Sequence, residues 1–130
     1  MDAMNFFKVI RTERAPEPVG PYSQALISGD LIFCSGQLGI DPATGQLEEG
    51  VEAQTRRSLM NLQAILEKAG SSLDRVIRCT MYLTEMRDFK SVNSVYSGFF
   101  HPDCPPTRVV VGVASLPLEG KVEVDAIAKV

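Results

Sequence analysis

Two charged residues stand where the sequence otherwise builds the interior of a sheet. In the stretch PPTRVVVGVASLPLEGKVEVDA, residues 105–126, a run of valines begins with Arg108, and the next apolar run carries Glu123. A guanidinium keeps its charge at any ordinary pH, and burying it without an anion is costly. Its planar fork of donors suits bidentate capture of a small carboxylate. The ordinary alternatives are an exposed strand arginine or a structural salt bridge. Glu123 is then either the structural partner of Arg108 or a group that orients a water. If the connection between the two strands turns near Leu118, Glu123 faces about Val113, five residues from Arg108, which is roughly 16 Å along the sheet. One side chain cannot bridge that distance. Arg108 and Glu123 of one chain are therefore predicted not to pair directly, though a subunit boundary can bring them together.

The usual catalytic constellations are missing from the sequence. The one histidine, His101, lies in the proline-bounded segment HPDCPP with no nucleophile placed by a motif, so a Ser-His-Asp or Cys-His system has no support. There is no phosphate-binding glycine loop and no spacing of metal ligands. The three cysteines, Cys34, Cys79 and Cys104, are odd in number and widely spaced, which fits reduced thiols rather than a disulfide framework or a zinc site. A net charge of -3 and a pI near 5.1 speak against a nucleic-acid surface, which needs clustered Lys and Arg. No apolar run approaches the roughly 20 residues of a membrane-spanning helix. The amino-terminal segment has no signal-peptide pattern, and the cytoplasm is the expected compartment.

The elements that must hold these residues can be read from periodicity. The 130 residues, 45% hydrophobic and 22% charged, predict one globular domain spanning 1–130. Residues 6–10 predict a first strand, followed by a loop punctuated by Pro16, Pro18 and Pro21 that ends at Tyr22 and Ser23. SQALISGDLIFCSGQ predicts two strands joined by Gly29-Asp30, the second broken at Ser35-Gly36-Gln37. IDPATGQ is a turn, with Gly45 suited to a positive φ. Val51, Leu59, Leu62, Ile65, Leu66 and Ala69 recur at helical spacing up to Gly70, with Arg56, Arg57, Gln63, Glu67 and Lys68 on the solvated side. DRVIRCTMYLT predicts a strand entered directly from that helix. A second helix is expected over 89–100, with Val92, Val95, Tyr96 and Phe99 on one face. Strands over 107–115 and 122–129 complete an α+β layout, a mixed sheet with two helices on one face. Both alternating sets of RVVVGVA are apolar apart from Arg108, so this strand is expected to be buried on both faces. With helix enough for only one face, the second should pack against another subunit.

The segments APEPVGPYSQA, CSGQLGIDPATG, VNSVYSGFF, PPTRVVVGVASLP and KVEVDAIA follow one another across residues 14–130. In this order and spacing they resemble the RidA (reactive intermediate deaminase, YjgF-type) family of small imine deaminases. The resemblance implies a fold like the trimeric chorismate mutases, a homotrimer with a barrel-like centre and active sites in clefts between subunits. It also implies hydrolysis of enamine and imine intermediates, 2-aminoacrylate/2-iminopropanoate and 2-iminobutanoate, to 2-oxo acids and ammonia, with no cofactor and no metal. By position, Arg108 matches the family's carboxylate-binding arginine, Glu123 its water-orienting glutamate and Tyr22 its cleft tyrosine. Ser35 and Gly36 match its substrate-facing turn, and Asn93 its helix asparagine. Many members carry a cysteine two residues after the arginine. This chain has Val110 there, so only backbone groups at that position can serve the substrate. Read from the residues alone, Tyr22 is equally a packing aromatic, and Ser35 and Asn93 are ordinary turn and helix-surface residues.

Two rival functions belong to other classes. One is a non-catalytic trimer, a small-carboxylate binder or chaperone-like protein using the same cleft, which would bind ligand without turnover. The other is a ribonuclease or translation inhibitor, against which stand the acidic charge and the lack of a histidine pair for acid-base cleavage. The expected partner is a small 2-imino acid rather than nucleic acid or membrane.

Overall fold

The computed structural model describes residues 6–130, so the first residues of the amino-terminal segment searched for a signal peptide lie outside it. The strands are β1 (Lys8–Ile10), β2 (Ala25–Ser28), β3 (Leu31–Leu38), β4 (Ile40–Asp41), β5 (Gln46–Leu47), β6 (Val76–Leu83), β7 (Thr107–Gly112) and β8 (Val122–Lys129). The helices are α1 (Val51–Lys68) and α2 (Phe89–Tyr96). Six strands form one sheet in the order β1-β2-β3-β8-β6-β7, antiparallel except for the parallel pair β6–β7, while β4 and β5 form a separate short hairpin. The α+β layout expected from the sequence is therefore present. No helix among the described residues is long and apolar enough to cross a membrane.

Helix α1 buries the predicted stripe, with Leu59, Leu62, Ile65 and Leu66 inside the core against β3 and β8. It stops where Gly70 takes φ 83°. The Gly70 amide then donates to the Glu67 carbonyl and the Ser71 amide to the Leu66 carbonyl, the pair of bonds that closes a helix through a left-handed glycine. Gly29, at φ 62°, turns the β2–β3 hairpin as expected.

One face of α1 departs from the apolar pattern, because Gln54, Thr55, Ser58 and Asn61 are buried as well. The reason lies in the irregular chain after β3. Asn61 Nδ2 donates to the carbonyls of Leu38 (3.2 Å) and Ile40 (2.9 Å). Gln54 Nε2 donates to the Glu48 carbonyl at 3.1 Å, and Gln54 Oε1 accepts from the Lys121 amide at 2.9 Å. Backbone groups that cannot join a ladder are thus satisfied from the helix, which a buried segment requires. Arg57, expected on the solvated side, is held by Glu48 at 2.9 Å and Asp41 at 3.9 Å. The helix approaches so closely that a Cβ on Gly39 would lie 2.4 Å from the Gln54 Cα.

Several expected boundaries shift. Strand β3 is not broken at Ser35-Gly36-Gln37: it runs on to Leu38 through a register shift between Cys34 and Gln37. A 3₁₀ turn, Leu73–Arg75, separates α1 from β6. Helix α2 ends at Tyr96 rather than residue 100, since Gly98 and Phe99 close i−3 turns onto Val95 and Tyr96. Strand β7 stops at Gly112.

The largest correction concerns the last two strands, which do not form a hairpin. β8 lies between β3 and β6, and β7 pairs with the far edge of β6. Val122, Val124, Ala126 and Ala128 are all buried, and a strand with such an inner face gains most at the centre of the sheet. The parallel β6–α2–β7 crossover leaves the other edge of β6 open to receive it. Arg108 is in register with Cys79, and Glu123 with Tyr82. By strand geometry their backbones are roughly 14 Å apart. Arg108 also points with Cys79 toward the helices, while Glu123 alternates with buried Val122 and Val124 and faces the other way. Strand β7 is not buried on both faces within the chain: Val109 is 42% exposed and Val111 38%.

The Gly39 contact gives a graded test. Gly39→Ala is expected to destabilise the fold by about 3 kcal/mol, near the top of the range for overpacking. Gly45→Ala, at φ 75° with open space around it, should cost only about 1 kcal/mol. Urea denaturation of both variants checks the ranking, and equal midpoints would show that α1 can simply move away.

Candidate active site

A cavity of about 360 Å³ opens between the proline-rich loop, the bulge of β3 and the turn before β8. Gln24 shapes its first wall. Its buried side chain donates to the carbonyls of Thr12 (3.1 Å) and Pro16 (2.9 Å) and accepts from the Thr12 amide at 2.7 Å. One amide thus fixes a loop whose three prolines supply no donors of their own. The sequence reading missed Gln24; its signal was a polar residue at the start of an apolar strand. Tyr22, half exposed, stands on this loop and lines the cavity, with its hydroxyl 3.4 Å from the Val19 amide.

The bulge in β3 forms the floor. Ser35 Oγ donates to the Ser23 carbonyl at 2.6 Å, and the Ser35 amide to the Gln24 carbonyl at 2.9 Å, tying the bulge to the loop. Gly36 leaves room for the neighbouring carboxylate: a Cβ there would lie 2.9 Å from Glu123 Cδ. Glu123 is half-buried at the cavity edge. Burial, and then the like charge of Asp125, raise its carboxyl above its ordinary value. No cation of the described residues offsets this. A carboxylate so placed can orient a water and take its proton. Asp125 accepts from the Tyr82 hydroxyl at 3.3 Å.

Arg108 belongs to a second cluster, on the helix side of the sheet. Its Nη1 donates to Asn93 Oδ1 at 2.7 Å, and its guanidinium carbon lies 4.7 Å from the Tyr96 ring centre and 5.7 Å from that of Phe89. Stacking and one hydrogen bond to the Asn93 side-chain oxygen fix the plane of the fork. Neither Nε nor Nη2 has an acceptor among the described residues, so the edge suited to a bidentate carboxylate is free. The structural salt bridge weighed from the sequence is thus not what holds Arg108. Val110 points the same way and packs on the core cluster.

The structure therefore divides the seven sequence-assigned residues into two groups. Tyr22, Ser35, Gly36 and Glu123 line one cavity. Arg108, Asn93 and Val110 sit together on β7 and α2 and do not reach it. Neither buried thiol nor His101 is placed to act as a nucleophile or base. Burial pushes the Cys34 thiol up to about 12 and the Cys79 thiol up to about 11, leaving both protonated at neutral pH. His101 is exposed and accepts the Asp103 amide at its own Nδ1. No group of three or more metal-ligating residues forms among the described residues.

Comparison with known proteins places this architecture. The family model described as endoribonuclease L-PSP matches residues 12–130. A RutC family protein of Pyrococcus abyssi is 48% identical over 122 residues, covering 93% of this chain and 95% of that protein. TdcF of Escherichia coli, named as a candidate reactive intermediate deaminase, is 43% identical, covering 93% of this chain and 95% of its own. Its crystal structure with bound serine superposes with a TM-score of 0.90 over 95% of this chain and 98% of that one. That of RidA from an Antarctic Psychrobacter, 41% identical, reaches 0.92 over 95% and 99%. With a family model spanning 12–130 and such relatives matched over nearly their whole length, the chain belongs to the RidA (YjgF-type) family.

Proposed function

We propose that the protein is a 2-iminobutanoate/2-iminopropanoate deaminase, working in the cytoplasm without a cofactor as a homotrimer whose active sites lie between subunits. The observation that carries this reading is the division of the site. Arg108 keeps a free bidentate edge on one side of the chain, while Glu123 waits without a cation beside a cavity on the other. The open outer face, with Val109, Val111 and Phe33 exposed, and the edge position of β7 provide a surface through which one subunit's Arg108 can meet another's cavity.

In that assembly Arg108 grips the substrate carboxylate, which fixes the imine carbon in front of a water held by Glu123. The carboxylate of Glu123 takes a proton as the water oxygen bonds to that carbon and returns it to the substrate nitrogen. The resulting carbinolamine loses ammonia to give the 2-oxo acid, so imine and water are consumed and 2-oxo acid and ammonia released. Tyr22 and Ser35 border the reacting end. The substrate is already reactive, and positioning with one proton transfer suffices.

Arg108→Ala is expected to lower kcat/KM for freshly generated 2-aminoacrylate about 100-fold or more, as loss of a charged hydrogen-bonded clamp does. The trimer should persist in size-exclusion chromatography with light scattering. Dissociation with activity kept per folded chain would assign Arg108 to structure instead. Ammonia release no faster than the spontaneous rate in the unmodified protein would favour the non-catalytic carboxylate binder.

Glu123 makes the reaction pH-dependent with a definite sign. Only its ionised form accepts a proton, so kcat/KM should rise with pH through a carboxyl pKa above the ordinary glutamate value. Glu123→Gln should lose about 10²–10⁴-fold in activity and flatten that limb. It should also raise Tm at neutral pH. The folded pKa is raised, so the native state binds the proton more tightly than the unfolded one, and stability falls as pH rises through that window. An acid limb that survives in Glu123→Gln would assign the base to another residue.

A further inference from the structure

Glu123 has a second carboxylate for a neighbour. Strand β8 alternates, so that Val122, Val124, Ala126 and Ala128 are buried on the helix side while Glu123 and Asp125 share the opposite face, half-buried. Two residues apart on one strand, their Cα atoms are separated by roughly 7 Å. Like charges at that spacing in a half-buried position repel, and an unrestrained aspartate would turn away. Asp125 is restrained. Its Oδ1 accepts from the Thr80 amide and its Oδ2 from the Tyr82 hydroxyl, each at 3.3 Å. Both donors come from β6, where Thr80 is in register with Asp125 and Tyr82 with Glu123, so the phenol reaches diagonally from the level of one carboxylate to the other. Burial first, then the charge and hydrogen bond of Asp125, raise the Tyr82 hydroxyl above its ordinary value, which keeps it a donor at neutral pH. A purely structural residue here would not need this arrangement: Ile127, next on the same face, shows that an apolar side chain fits the row.

The other groups around Glu123 leave Asp125 as the charge that acts on it. From β3 the facing residues are Gly36 and Leu38, neither of them titratable. The proline-rich loop brings Tyr22 and Glu17 to the same cavity, and Glu17 is engaged by Arg11. The turn before β8 contributes Pro117 and Leu118. Neither Lys121, two residues before Glu123, nor Arg78, beyond Thr80 on β6, offsets the repulsion. We propose that Asp125 is a positioning residue for the deamination, acting through Glu123: its carboxylate, held by the Thr80 amide and the Tyr82 hydroxyl, is the fixed charge that lets Glu123 keep the proton of the attacking water until it passes to the substrate nitrogen. The inference rests on the deaminase reading and adds a residue to it. Asp125 does not line the cavity and touches neither water nor substrate. An ordinary carboxylate is a weak base at neutral pH, and a fixed like charge beside it strengthens it.

The test measures the pH dependence of kcat/KM for freshly generated 2-aminoacrylate in Asp125→Asn and Asp125→Glu. Asparagine keeps the shape and an oxygen acceptor for the Thr80 amide but removes the charge. The acid limb is expected to move to lower pH and the plateau to fall about 10-fold, as for a weakened base. Asp125→Glu restores the charge and should return the limb to its position in the unmodified protein. In a Glu123→Gln background Asp125→Asn should cost nothing further, because a residue acting through Glu123 has nothing left to act on. Titration of the Glu123 carboxyl carbon by NMR in the free protein should show the same displacement without reference to turnover. A limb and a carboxyl titration that stay in place in Asp125→Asn overturn the inference and leave the deaminase reading intact. So does an equal loss of activity in the unmodified and Glu123→Gln backgrounds, or a limb displaced alike by Asn and Glu, since either makes Asp125 a structural residue. No acceleration over the spontaneous rate by the unmodified protein removes the deaminase reading and this inference with it.

Discussion

The site depends on the contact between Gly36 and Glu123 in the bulge of β3. β3 must gain residues between Cys34 and Gln37 for Ser35 and Gly36 to turn toward the cavity, and only a residue without Cβ lets the Glu123 carboxyl lie against it. Beyond the bulge β3 pairs with β8 only as far as Leu38, and the chain that follows leaves the main sheet. Asn61 and Gln54 satisfy the local chain from α1, and Gly39 allows the helix close enough to do so. On the other side Ser35 anchors the proline-rich loop, which Gln24 holds shut. An irregularity in one strand therefore accounts for polar residues buried in a helix, a glycine that tolerates no side chain and a clamped loop.

The electrostatics of the two clusters are complementary. Arg108 is oriented by Asn93 and two aromatic rings and has no carboxylate partner among the described residues of its own chain. Glu123 is half-buried beside Asp125, with no cation beside it among the described residues. Each would be a poor investment of stability in an isolated subunit, since unpaired charge at a partly buried position disfavours folding. In the proposed assembly the clusters face each other and the substrate carries the missing charge. Joining Arg108 to Glu123 within one chain would neutralise both and leave nothing to bind or orient a reactant.

Val110 adds to this division of labour. It shares the face of Arg108 and packs on the core, an apolar contact at the position where the family resemblance leads one to expect a thiol. The thiols it retains at Cys34 and Cys79 are buried and protonated. In the proposed mechanism, positioning and one carboxylate carry the chemistry.

Much of this was legible in the residues. Helical spacing and Gly70 gave α1, Gly29-Asp30 gave the first hairpin, and the charges at Arg108 and Glu123 stood out because their neighbours are apolar. Even their failure to pair followed from strand geometry, although the hairpin assumed for it does not exist. What the sequence could not reveal was which strands are neighbours. The 3.6- and 2-residue periods report which side of an element is buried, not what it is buried against. β8 reads the same beside β7 as between β3 and β6. For the same reason Gln54, Asn61 and Gln24 went unassigned, since a buried amide is justified only by the carbonyls that tertiary folding brings to it. Local pattern determined the elements and singled out the charged residues. Long-range pairing decided that these residues lie on opposite faces, in two separate clusters, because sheet order is set by non-local contacts that no window of sequence contains.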